Sequence, residues 1–150
     1  MSVFAIIKKN GRVLVCKPAD LQKWQEEWAP NLRIYEPSVL SVESQAWRFP
    51  SSYIKEGEAP SDTLRRLMKD QLGIEKYRVA SNSFYNFYDQ SRRYPEHMHW
   101  DYCFVYDVDL EEDPKMKPWF SALEFVDLKG MKIENFGSAQ GWLARALGMI

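Results

Sequence analysis

Residues 47–74 constrain this chain more than any other stretch. They read Trp47-Arg48-Phe49-Pro50, then a polar run over 51–59, then Pro60-Ser61-Asp62-Thr63-Leu64-Arg65-Arg66-Leu67-Met68-Lys69-Asp70-Gln71-Leu72-Gly73-Ile74. Pro60 suits the first position of a helix, where its missing N–H costs nothing. Ser61 and Asp62 then place polar and negative groups in the first turn, where they complement the helix dipole. Leu64, Met68 and Leu72 recur at helical spacing and predict one apolar stripe. Gly73 fits the C′ position that ends such a helix. A strand over 47–49, stopped by Pro50, is thus expected to feed a loop over 51–59 and then a helix.

The flanks read as follows. Two apolar runs, 3–7 and 13–16, surround Asn10-Gly11, and both of those residues tolerate the positive φ of a tight hairpin turn. Pro18 closes the second run. Asp20 predicts the cap of a short helix with Leu21, Trp24 and Trp28 on one face, ended by Pro30-Asn31. Residues 32–42 read as extended, with a break at Glu36-Pro37. The whole connection over 19–46 is long enough to serve as a lid, a partner surface or a surface helix pinned by its two Trp. Downstream, 77–88 and 97–110 predict an antiparallel pair, and 124–128 a last short strand. Ser138 is expected to cap a final helix carrying Trp142, Leu143, Ala146 and Leu147.

A length of 150 residues supports one domain with a proper core. A formal net charge of −1 argues against a dominant basic surface for bulk nucleic-acid binding. Six Trp, eight Tyr and eight Phe imply a ring-rich core in preference to a stacking or docking surface. Cys16 and Cys103 form neither a disulfide framework nor a zinc spacing and read as buried free thiols. Lys8 and Lys9 interrupt the N-terminal apolar run early, and no segment has the length of a membrane span. The expectation is a soluble protein, with no membrane contact, in the cytoplasm or another reducing intracellular compartment.

Residues 52–74 resemble the Nudix box, G-x5-E-x7-R-E-U-x-E-E-x-G-U, where U is a bulky aliphatic residue. Gly73-Ile74 fixes the phase. Glu58 and Arg66 then fall on the first Glu and the Arg, and Met68 on the aliphatic position. Trp47-Arg48-Phe49-Pro50 is similar to the usual lead-in. The resemblance implies an α/β (α+β) fold: an α/β/α sandwich around a mixed β-sheet. It implies one domain over 1–150, with the box at 52–74 and an insertion at about 19–46. In that family the helix carboxylates hold Mg²⁺ or Mn²⁺, which activate water and neutralise the diphosphate of a nucleoside-diphosphate-linked substrate. The spacing has a geometric reason. At roughly 100° per residue, positions 63, 67, 70 and 71 share a face, largely opposite the Leu64, Met68 and Leu72 stripe. Several carboxylates there make a hard-oxygen cage.

This chain departs from that pattern. Ser52 stands at the opening Gly, with Ser51 before it, and Leu67, Asp70 and Gln71 stand at the three Glu positions of the helix. The family-matched catalytic candidates are therefore Glu58, Arg66 and Asp70. The resemblance makes the first two mainly a brace between loop and helix. Asp70 is the one metal-ligand candidate of the box; its other reading is a solvated helix charge paired with Arg66. His97, His99 and Asp101 alternate on one strand, so they present either a transition-metal ligand set or surface histidines that anchor a turn. Glu111, Glu112 and Asp113 read as an extra acid for the site or as a solvated loop. Arg92, Arg93 and Tyr85, with Phe87 and Tyr88, are substrate-binding candidates for a phosphate and a stacked base, although strand alternation sends half of those rings into the core.

Three functions remain open on the residues. The favoured one is a Nudix-fold protein that binds a nucleotide, a nucleoside-diphosphate derivative or a macromolecular partner without efficient hydrolysis, and with no firm cofactor. The second is a divergent hydrolase using Mg²⁺ or Mn²⁺. The third is an interaction module docking a protein or ribonucleoprotein through Trp24 and Trp28, as a structural part of a larger assembly such as a ribosome.

Overall fold

A computed structural model describes residues 1–30, 35–90, 94–138 and 140–150. Asn10 and Gly11 both adopt positive φ, 52° and 75°, so β1 (Ser2–Lys9) turns back directly into β2 (Arg12–Pro18). β1 is the central strand. It pairs in parallel with β5 (Met98–Leu110) along one edge. Its other edge is shared between β3 (Ser51–Tyr53) near its start and β2 near its end, both antiparallel. β4 (Tyr77–Gln90) pairs antiparallel with β5 on the outside, and β6 (Phe120–Val126) with β2 on the other side. The result is a mixed six-stranded sheet in the order β4-β5-β1-β2-β6, with β3 attached to β1.

The apolar run of β1 has no polar alternation because both faces of the strand are covered. Val3, Ala5 and Ile7 point to the side packed by α1 (Leu21–Trp28) and α3 (Pro60–Arg66). Phe4 and Ile6 point to the side packed by α4 (Gln140–Ala146), through Leu143 and Ala144. Each fully buried side chain of this size contributes roughly 1.5–3 kcal/mol. Asp20 caps α1 as its sequence predicts, its carboxylate accepting from the N–H groups of Gln22 and Lys23. Cys16 and Cys103 are buried free thiols, and burial pushes them up to about 12 and about 11.

Several expectations are corrected. Within the expected extended run over 32–42, residues 31–34 lie outside the described residues, while Pro37–Glu43 is helical (α2) with Pro37 in its first turn. Its Val content reads as strand, but a buried ion pair decides the conformation. Glu43 is fully buried and its Oε2 lies 2.6 Å from Arg48 Nη2. The same oxygen accepts from the Ser138 N–H, and the Glu43 carbonyl accepts from Arg48. The expected strand over 47–49 reduces to two isolated bridges, Trp47 with Phe136 and Arg48 with Cys16. The regular strand, β3, lies beyond Pro50. Proline cannot donate to a ladder, but its carbonyl still accepts from Ala5 N, so the chain stays at the sheet. Ser138 does not cap α4: its φ is 53° and its hydroxyl meets Tyr35 and Arg48. Trp142 is exposed, with Arg145 over its ring. Trp24 and Trp28 are 7% and 4% exposed, which removes them as a docking surface.

The last of these packings is tight. A Cβ at Gly137 would come within 2.4 Å of the Arg48 guanidinium carbon, so glycine there makes room for the buried cation. Arg48→Met removes the cation 2.6 Å from the buried Glu43 carboxylate. Breaking a buried pair in this way costs on the order of 3–5 kcal/mol. We expect urea denaturation of Arg48→Met to show a loss of that size, and Glu43→Met/Arg48→Met to recover most of it.

Candidate functional site

The strand-loop-helix unit over 51–73 is held by one side chain. Arg66, on the last turn of α3, reaches back eight residues to Glu58. Its Nε and Nη2 each lie 2.7 Å from a different Glu58 oxygen. Nη2 also donates to the Tyr53 carbonyl and Nη1 to the Ser52 hydroxyl. Glu58 accepts further from Lys55 N and from the Thr63 hydroxyl. The hydrogen bonds from Arg66 are the main reason its carboxyl falls to about 2. Glu58 and Arg66 thus saturate each other and act here as a brace.

The helix beyond Arg66 changes pitch. Leu67–Gln71 forms a π-helical turn, closed by Leu72 N donating to the Leu67 carbonyl. Gly73, at φ 67°, ends it. The expected division into a polar face and an apolar stripe does not hold. Thr63, Leu67 and Gln71 are buried to the same degree as Leu64, Met68 and Leu72. Asp70 is exposed and, among the described residues, makes no hydrogen bond or ion pair; the expected partner Arg66 is spent on Glu58. The buried Gln71 side-chain amide donates to the Ser51 carbonyl at 3.0 Å, while its own Oε1 has no partner among the described residues.

The other candidates are dispersed. Glu112 accepts from the backbone of Glu75 and Lys76, and Asp113 pairs with Lys9. That places the acidic loop at the far end of β1. His97 is exposed in the turn before β5, whereas His99 and Asp101 share a strand face with His99 Nε2 3.0 Å from Asp101 Oδ1. Among the described residues, no three His, Cys, Asp or Glu side chains are grouped so as to hold a metal ion. Arg92 and Arg93 lie outside the described residues. Tyr85 is half-buried beside Phe87 on the same face of β4, their rings parallel within 3°. Tyr88 lies on the opposite face, exposed against Trp100.

A cleft opens at the start of β1, on the opposite end from the acidic loop. Its walls include Ser2, Trp28, Arg48, Ser52, Phe87, Asp101 and Gln140. It encloses about 80 Å³, well below the roughly 300–1,000 Å³ of sites that swallow a small-molecule ligand. The box touches it at Ser52 and Tyr53, with Ser51 just before them. The Ser52 hydroxyl donates to the Trp28 carbonyl at 3.2 Å, fixing the end of α1 over the box. Gln140 accepts from Phe49 N at 2.6 Å and ties α4 to the same junction. Sequence reasoning missed Arg48 and Gln140 as cleft residues, whereas Phe87 stood among its candidates for a stacked base. A signal for the first was present: an Arg inside an apolar lead-in needs a buried acid, and Glu43 lies five residues upstream.

A mixed sheet between helical layers, with a strand-loop-helix unit braced by an arginine-glutamate pair, defines an α+β architecture of a recognisable kind. The NUDIX domain model matches residues 1–145, and the chain belongs to that family. Among solved structures it is similar to a UDP-X diphosphatase, at 11% identity and TM-score 0.63 over 99% of this chain, which spans 59% of that protein's length. It is similar to a C. elegans Ap4A hydrolase at 12% identity and TM-score 0.59, covering 99% of this chain and 96% of the other. An E. coli dihydroneopterin triphosphate pyrophosphohydrolase is 13% identical, with TM-score 0.55 and 99% and 93% coverage. Identities this low speak for the fold alone. No curated protein matches the sequence. Among the described residues, no helix is long and apolar enough to cross a membrane.

Two outcomes follow from this geometry. Glu58 titrates near 2 in the folded chain against an ordinary value of 4.5. Its stabilisation is therefore complete above pH 4.5 and lost as pH falls towards 2. Glu58→Gln is expected to flatten that part of the acid-unfolding curve followed by circular dichroism. Gln71→Glu replaces the amide donor with a carboxylate facing the Ser51 carbonyl, at a cost of about 1–3 kcal/mol. Its melting temperature in EDTA should drop, and added Mg²⁺ or Mn²⁺ should restore part of the loss.

Proposed function

We propose that this chain uses the Nudix fold to bind a nucleotide or nucleoside-diphosphate derivative at the cleft, without efficient metal-dependent hydrolysis, and that residues 1–150 act as one domain. The observation that carries the reading is the Gln71 amide bonded to the Ser51 carbonyl. A hard divalent ion needs several oxygen ligands, and a carboxylate at position 71 would draw one in against that carbonyl. Here a neutral N–H makes the link directly. Leu67 is buried apolar surface beside it, and Asp70 faces solvent. The donor set therefore does not fit the Mg²⁺ or Mn²⁺ that the family's box holds. Glu58 and Arg66 are, on this reading, kept for the loop's shape. The three solved structures named above carry the names UDP-X, Ap4A and dihydroneopterin triphosphate, which supports a phosphorylated, ring-bearing ligand class. The alternative of a macromolecular partner docking through Trp24 and Trp28 is disfavoured because both rings are buried.

The test is incubation of pure protein with Mg²⁺ or Mn²⁺ and a panel of nucleoside-diphosphate derivatives, with calorimetric titration of the same compounds in EDTA. Binding without turnover is the expected result. Turnover on the order of 1 s⁻¹ or more, abolished by Asp70→Asn, would overturn the reading.

A further inference from the structure

Phe87 and Asp101 lie directly opposite each other on β4 and β5, on the same face, and both line the cleft. They are half-buried, whereas Trp28, Arg48 and Leu21 deeper in the wall are closed off. With only about 80 Å³ enclosed, a nucleobase has to sit at this mouth. Phe87 offers it a ring, backed by the parallel ring of Tyr85 at 6.4 Å. Asp101 offers it acceptor oxygens only. His99 holds Oδ1 at 3.0 Å and so sets the orientation of the carboxylate in the cleft wall; each carboxylate oxygen has a second lone pair to offer.

We propose that Asp101 is the specificity-determining residue of the cleft and selects a guanine base. The argument rests on the nucleotide-binding reading above and then on edge chemistry. An ionised carboxylate accepts and cannot donate. The guanine Watson–Crick edge presents two adjacent donors, N1–H and N2–H, which meet a carboxylate together. Uracil flanks its single N3–H with two carbonyl oxygens, and adenine sets its N1 acceptor beside its amino group; each brings a lone pair against the carboxylate. An acceptor-only group therefore discriminates between these edges by repulsion as well as by attraction. Phe87 contributes affinity without choice, because every base has a π face. His99 acts through Asp101 as a positioning residue.

The experiment is calorimetric titration of GDP, ADP and UDP in EDTA, which share the diphosphate and differ in the base. We expect GDP to bind about tenfold or more tighter than UDP, since a good two-donor contact is worth about 1–3 kcal/mol of discrimination. Asp101→Asn, isosteric and at a half-exposed position, should bring the two within about threefold of each other. Phe87→Ala should weaken all three and keep their order. Circular dichroism checks the fold of both variants. Equal affinities for GDP and UDP in the parent chain, or discrimination that survives Asp101→Asn, overturn the assignment of Asp101 while leaving nucleotide binding intact. Failure of all three to bind overturns both readings.

Discussion

The pairing of Arg66 with Glu58 holds the rest of the site in place. Two parallel N–H···O bonds fix the guanidinium against the carboxylate, and the remaining donors reach Ser52 and the Tyr53 carbonyl. Bidentate pairs of this kind carry geometry as well as energy. The helix, the polar loop and β3 thus share one rigid junction, and β3 in turn rests on the first residues of β1. Ser52 extends the junction. Its hydroxyl takes a hydrogen bond from Arg66 and gives one to Trp28, so the brace also sets where α1 ends. A glycine at that position would keep the loop and lose the tie to α1. The depth of the cleft is in this sense a consequence of the brace.

A second buried network, independent of the first, closes the other side. Glu43, Arg48 and Ser138 join α2, the lead-in to β3 and the approach to α4, while Gln140 fastens α4 to Phe49. Its buried Glu43 and Arg48 face each other at 2.6 Å, as buried ions need opposite charges close by. The two networks and the Gln71–Ser51 bond give many of the polar groups around β3 protein partners, while Gln71 Oε1 and Arg48 Nε have none among the described residues. A metal-dependent site needs the reverse: oxygens left short of protein donors so that a cation completes them. The family's frame is present here with the Ser51 carbonyl bonded to the Gln71 N–H, and with Gln71 Oε1 left without a partner among the described residues.

How much of this was legible in the sequence depended on range. Asn10-Gly11, Asp20 before Leu21, Pro60 and Gly73 act through their own backbone, and the hairpin, the capped helix and the limits of the box helix stand where those residues place them. The long motif from Trp47 to Ile74 fixed the phase of the brace for the same reason. What failed was decided at a distance. Residues Pro37–Glu43 fold as a helix because Glu43 finds Arg48 and the Ser138 N–H, 95 residues on. The strand falls after Pro50 because β1 offers its free edge there. The π turn shifts Leu67 and Gln71 inward, and a fixed 100° step has no way to anticipate it. The cleft was the least legible part, since its walls come from β1, α1, β3, β4, β5 and α4 at once.

The two charged side chains in the cleft wall are not equivalent. Arg48 is buried and spent on Glu43, so among the described lining residues no cation is free to receive a phosphate. Asp101 is half-exposed, with one oxygen occupied by His99. A ligand entering this cleft meets a ring at Phe87 and a carboxylate at Asp101 among the described lining residues. Hydrolysis of a diphosphate requires the opposite emphasis, because the charge that develops in the transition state sits on the phosphoryl oxygens. The Gln71 amide on the Ser51 carbonyl and the Glu43 carboxylate on Arg48 each engage a group that phosphate chemistry could otherwise use. Neither contact involves Phe87 or Asp101. On the reading proposed above, base recognition and phosphoryl transfer fall to different residues of this fold: Phe87 and Asp101 at the cleft for the one, the surroundings of the Ser51 carbonyl for the other.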